Sequence, residues 1–119
     1  MRKIAANYIL LPGFEFVKNG YVVLKDGKVM DVVNTGGEIR EIPCLEFYGG
    51  MIVDDCVRQC IKWVPGDPIC EKILQLYREN GACGNGLALI QGGDFTRFIW
   101  MPESRIVYLR ILNTKINEG

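Results

Sequence analysis

A series of short β-type segments separated by tight-turn signals, over residues 20–53, constrains this chain more than any other feature. Residues 21–24 and, except for Asp31, residues 29–33 are apolar and rich in β-branched side chains, which favour extended backbone. Asp26-Gly27 lies between them, and this dipeptide readily takes the two positive φ angles that a two-residue hairpin loop requires. The sequence therefore predicts a β-hairpin at this position.

Six further segments have the apolar or alternating pattern that is typical of strands; they are residues 3–11, 38–42, 44–48, 51–53, 87–91 and 105–112. Lys18-Asn19-Gly20 and Gly49-Gly50 both predict turns, because asparagine and glycine readily adopt positive φ angles. The last segment is apolar on both faces, which is typical of a strand that is central or covered on both sides.

The middle of the chain has a helical pattern instead. Over residues 55–64, apolar side chains recur at spacings of three and four, and Asp54 or Asp55 can cap the start. Over residues 68–79 the same spacing follows Asp67-Pro68, which is a helix start signal. The sequence therefore predicts two helices between the two groups of strands.

These elements predict one mainly β domain, a small composite β-sandwich or barrel with one or two helices inserted in the middle. At 119 residues the chain is long enough to bury one core but not two. Within this single domain (residues 1–119), residues 1–53 supply the N-terminal strands, residues 54–80 a helical linker, and residues 85–112 the C-terminal strands.

The composition excludes several classes of function. The chain has no histidine, the side chain that titrates near neutral pH and the commonest metal ligand. This removes imidazole acid–base catalysis, Ser-His and Cys-His nucleophile pairs, and most catalytic zinc sites. The 14 basic and 14 acidic residues balance, without the basic cluster that nucleic-acid binding requires. No apolar segment is long enough to span a bilayer.

The cysteines admit two interpretations. There are five, an odd number that does not favour a disulfide framework: Cys44, Cys56, Cys60, Cys70 and Cys83. The first apolar segment is too short for a secretory signal, so we expect a cytoplasmic protein with reduced thiols. Cys56 and Cys60 share a predicted helix face, and with Cys70 and Cys83 they could bind zinc or form a redox pair. No CxxC spacing is present, which favours small core residues instead.

Other candidate sites also have a plain structural interpretation, which we favour in each case. Asp54-Asp55 could bind a cation, but helix capping is the commoner role. Residues 81–86, GACGNG, suggest a phosphate loop, but they follow a helix and lack the Lys-Ser/Thr of a P-loop. Trp63 and Trp100 predict anchors of a core or an interface. The sequence therefore assigns no catalytic, cofactor-binding or metal-binding residue.

The order of motifs at the N-terminus resembles the amidohydrolase superfamily of metal-dependent hydrolases and deaminases. The matching segments are Lys18-Asn19-Gly20, residues 24–29 (LKDGKV) and residues 50–53 (GMIV). Residues 73–84 are similar to the last barrel helix of that family. Residues 85–112 are similar to the C-terminal strands of its chlorohydrolase and deaminase branch. The resemblance covers both ends of the chain and implies a composite sandwich built from them.

The same resemblance implies that the catalytic part is missing. In the family an H-x-H metal pair follows the last of these strands and a (β/α)₈ barrel carries the active site. Here Asp54-Asp55-Cys56 follows Val53, and about 20 residues separate Val53 from the helix that resembles the end of the barrel. We expect a helical linker in place of the barrel, and hence a non-catalytic, stand-alone sandwich domain with a structural or protein-interaction role.

Two alternatives stay open: an accessory subunit or degenerate member of an amidohydrolase acting on C–N bonds, and a cysteine-based domain that binds a metal or small ligand. Without a barrel, one side of the sandwich would expose apolar side chains. The helices can fold back over it, or two copies can pair through Trp63, Trp100 and Phe98. We expect the first together with dimerisation, so that the partner is a second copy or another protein, with no nucleic acid and no membrane.

Overall fold

The computed structural model describes residues 2–35, 45–80 and 86–109, without the side chains of Gln59 and Cys60. The strands of this part of the chain are β1 (Arg2–Leu10), β2 (Val17–Lys25), β3 (Lys28–Asn34), β4 (Leu45–Asp54), β5 (Leu87–Gln91) and β6 (Arg105–Leu109). Two helices, α1 (Val57–Cys60) and α2 (Ile69–Asn80), lie between β4 and β5. This confirms the mainly β fold class with helices in the middle. The predicted strand over residues 38–42 lies outside the described residues.

The described strands form one mixed sheet in the order β3-β2-β1-β4-β5-β6. β1 is parallel to β4, whereas the other four neighbouring pairs are antiparallel. The strands that follow the helices rejoin the earlier ones at β4, which pairs with β5. The N-terminal and C-terminal strands therefore belong to the same sheet.

The β2–β3 hairpin confirms the prediction from Asp26-Gly27. These two residues have φ angles of 54° and 77°, and Lys25 pairs with Lys28 across the loop. The turn predicted at Lys18-Asn19-Gly20 is wrong, because β2 runs straight through it. Asn19 does take a positive φ of 60°, but the strand continues on both sides of it.

The turn predicted at Gly49-Gly50 is also wrong, since β4 is continuous and the two glycines form a bulge. The register between β1 and β4 shifts by one residue there, and the Asn7 side-chain oxygen accepts the Gly50 N–H at 2.9 Å. Gly50 has a φ of 121°, and a Cβ at this position would lie 2.3 Å from the Ile90 carbonyl oxygen. Only glycine fits this bulge without displacing β5.

α2 begins and ends one residue after its predicted bounds and buries the predicted face. The helix predicted over residues 55–64 is wrong beyond one turn, because α1 ends at Cys60 and Ile61 is already extended. The Trp63 ring stacks on Trp100, with 4.5 Å between ring centroids. This packing holds the chain in an extended path and overrides the local helical pattern, which is only a weak preference.

β6 lies at the edge of the described sheet, so the prediction of a central or covered strand is wrong. Val107 and Tyr108 are both exposed. The Arg58 guanidinium lies 5.2 Å from the centroid of the Tyr108 ring. A long side chain from α1 therefore shields one of the apolar residues that the pattern suggested were buried between layers.

Each face of the sheet carries a buried cluster. On the face where α2 packs, hereafter the helix face, the helix contacts strand side chains that include Leu10, Met51, Val53 and Ile90. The loop between β5 and β6 adds Trp100 to the same cluster. The opposite face carries a second cluster built from residues of five strands: Ile4, Ala6, Ile9, Val17, Val22, Leu24, Ile52, Leu87, Leu89 and Leu109. The helices therefore cover part of one face of the sheet.

Candidate interaction surface

Packing from α2 and the β5–β6 loop covers only half of the helix face. On β4 the odd-numbered residues point to this face; Met51 and Val53 are fully buried under α2, whereas Phe47 is 57% exposed. The boundary between these halves is the bulge where Asn7 binds Gly50. Beyond it, no element of the described residues packs over strands β1 to β4. We call this part of the helix face the open half.

The strand register places eight side chains of the open half in two rows that run across β3, β2, β1 and β4. The first row, the aromatic row, consists of Val33, Tyr21, Ala5 and Phe47. The second, the charged row, consists of Asp31, Val23, Lys3 and Leu45. Side chains on adjacent strands lie about 5 Å apart, so each row is a continuous band.

The aromatic row alternates large and small side chains. Ala5 is fully buried between Tyr21 on one neighbouring strand and Phe47 on the other. Ala5 has no accessible surface, so the exposed apolar area of the row comes from the larger side chains on the other strands. An exposed aromatic ring on an inner strand indicates a binding surface more strongly than one on a surface loop does, because inner strands are normally covered.

The opposite face of the same strands has a different character. Arg2 donates two hydrogen bonds to the Glu46 carboxylate, at 2.8 and 2.9 Å, and the Tyr48 hydroxyl lies 3.2 Å from it. The hydrogen bonds from Arg2 lower the pKa of Glu46, and burial raises the pKa of Tyr48. Polar groups therefore satisfy one another on that face, whereas the open half presents apolar rings.

A second exposed apolar surface is a shallow groove of about 430 Å³ between the β1–β2 loop and α2. Its walls include Phe14 and Leu74, which are both exposed, and Arg78. Tyr77 also lines it, and the Tyr77 hydroxyl donates to the Leu10 carbonyl at 2.7 Å while it accepts the Asp54 N–H at 3.0 Å. Hydrogen bonds therefore hold the Tyr77 wall of the groove in place, whereas its other walls are a loop and one face of α2.

The structure assigns the described cysteines to packing. Cys56 is buried and Cys70 is half-buried. Burial raises the pKa of the Cys70 thiol, and the nearby charge of Glu71 raises it further, so the reactive thiolate is disfavoured. Among residues 2–35, 45–80 and 86–109 no three metal-binding side chains come together. Cys44, Cys83 and the Cys60 side chain lie outside the described part, so a zinc site stays an untested alternative.

The acidic pair before α1 has a local structural role. The Asp54 carboxylate is buried and accepts the Cys56 N–H at 2.9 Å, which closes the turn that leads into the helix. Asp55 forms a 3.5 Å ion pair with Arg58. The helix N-cap is Cys56, without a side-chain cap, so the prediction that either aspartate caps α1 directly is wrong by one or two positions. Of the GACGNG segment, residues 81–85 lie outside the described residues.

The aromatic residues expected at a dimer interface pack within one chain. Trp100 is buried against Trp63, and the Lys72 ammonium lies 5.4 Å from the centroid of the Trp63 ring. Phe98 packs edge-on against Tyr8 at 5.0 Å. The core interpretation is therefore confirmed for Trp100, whereas Trp63 and Phe98 are half-buried and pack against the same cluster.

Sequence reasoning missed the open half, although one signal was present. Residues 21–24 are apolar at every position, so both faces of β2 carry apolar side chains. The pattern shows that both faces avoid water, but it does not show what covers them. The position of α2 decides which part of the face is covered, so the uncovered part is seen only in the structure.

Within the described residues, no helix is both long and apolar enough to cross a membrane. No family model, curated protein or solved structure matches this chain.

Proposed function

We propose that this chain is a non-catalytic protein-interaction domain and that the open half of its sheet is the binding surface. The observation that carries the proposal is Phe47, a ring more than half exposed on an inner strand, four residues from a fully buried methionine on the same face. Contiguous exposed apolar surface of this kind is uncommon on monomers and is typical of binding sites.

The shape of the open half favours a protein partner over a small molecule. Four strands span about 19 Å, and the five residues from Lys3 to Asn7 span about 17 Å along the strands. Small-molecule sites are concave and enclose most of the ligand, whereas this surface is broad and open. Aromatic residues at the centre with charged residues at the margin are the usual arrangement of protein interfaces.

The amidohydrolase resemblance supports the same proposal. In that superfamily the sandwich packs one side against the catalytic barrel, so a sheet with one apolar side and no barrel retains a surface shaped for another protein layer. On this account the helical segment replaces only part of the lost cover. The proposed function does not include catalysis, because its evidence is an exposed surface and not a group of reactive side chains.

The variant Phe47→Lys tests whether the open half is a surface or part of the core. We expect its free energy of unfolding, measured by urea denaturation of a dilute sample, to stay within about 1 kcal/mol of the wild type, because a lysine there stays in water. The matched control is Met51→Lys on the same face of β4, which buries a charge under α2 and should prevent folding.

The same variant tests attraction between molecules through the second virial coefficient from static light scattering. We expect the wild type to show net attraction that Phe47→Lys abolishes and that Phe14→Lys, in the groove, retains. A loss of more than about 2 kcal/mol of stability in Phe47→Lys would show that the ring belongs to the core and would overturn the proposal.

A further inference from the structure

We draw no further inference here: the strongest candidate, the apolar groove between the β1–β2 loop and α2, carries none, because the charged side chain in its wall, Arg78, lies in the last turn of α2, where a cation complements the helix dipole, and nothing in the described part of the chain shows what covers the groove.

Discussion

The helix face of this protein contains two halves that share strands but not surroundings. Under α2, Met51 and Val53 of β4 are fully buried, and the helix supplies Ile73 as their neighbour. On the other side of the Asn7–Gly50 bulge, the same strand carries Phe47 with more than half of its surface in water. The difference teaches that an apolar strand pattern identifies the faces of a sheet, whereas the covering layer decides which part is core.

The largest expected effect separates the halves by stability. Ile73→Ala removes three buried carbons from the covered half, and we expect it to lower the free energy of unfolding by about 3 kcal/mol. Phe47→Ala removes a larger side chain from the open half, yet it should cost less than about 1 kcal/mol in a dilute sample. Urea denaturation of both variants measures the contrast. Equal costs would show that the two halves do not differ as described.

The second largest effect concerns Gly50, at the boundary between the two halves. Gly50→Ala places a Cβ against the Ile90 carbonyl oxygen in a backbone conformation with φ of 121°, and we expect a loss of about 2 to 3 kcal/mol. The control Gly13→Ala has a similarly positive φ of 83° but open space around it, so its cost should be about 1 kcal/mol. The difference between the variants in thermal or urea unfolding isolates the close contact. Were both to cost the same, backbone strain alone would explain the need for glycine.

The smallest effect concerns the face opposite the open half. Because Arg2 lowers the pKa of Glu46 in the folded chain, this carboxylate stabilises the fold above its unfolded pKa, and the contribution is lost as pH falls through the folded pKa. Glu46 is partly exposed, so the contribution is about 0.5 kcal/mol. Between about pH 6 and pH 3, the wild type should lose that much more stability than Glu46→Gln. Identical pH profiles would contradict the assignment.

The parts of the fold that the sequence predicted depend on neighbouring residues. Asp26-Gly27 determines its hairpin through its own φ angles, and α2 follows from Asp67-Pro68 and its spacing of apolar residues. The parts that it missed depend on distant residues. Gly49-Gly50 forms a bulge because Asn7 binds it from another strand, and the segment after α1 extends because Trp63 meets Trp100.

The candidate surface belongs to this second group. Tyr21 and Phe47 occur at the same alternating positions as the core residues of their strands. No neighbouring residue in the sequence indicates that the packing of α2 on the sheet stops near Asn7. Conversely, Trp63, Trp100 and Phe98 are of residue types that are common at interfaces, but they pack within the chain. Composition therefore indicated that an interface was plausible, and the three-dimensional arrangement shows which apolar rings are exposed.

The most direct test of the account observes the Phe47 ring in solution. The chain has five phenylalanines, so incorporation of fluorophenylalanine gives five ¹⁹F resonances, and Phe47→Leu identifies the one from the open half. The account predicts that this resonance shifts as protein concentration rises from about 10 μM to 1 mM, because the exposed ring enters contacts between molecules. The resonances of Phe14 and Phe16, which are exposed elsewhere, should stay constant. A constant Phe47 resonance beside shifting Phe14 and Phe16 resonances would contradict the account and place the contact at the groove.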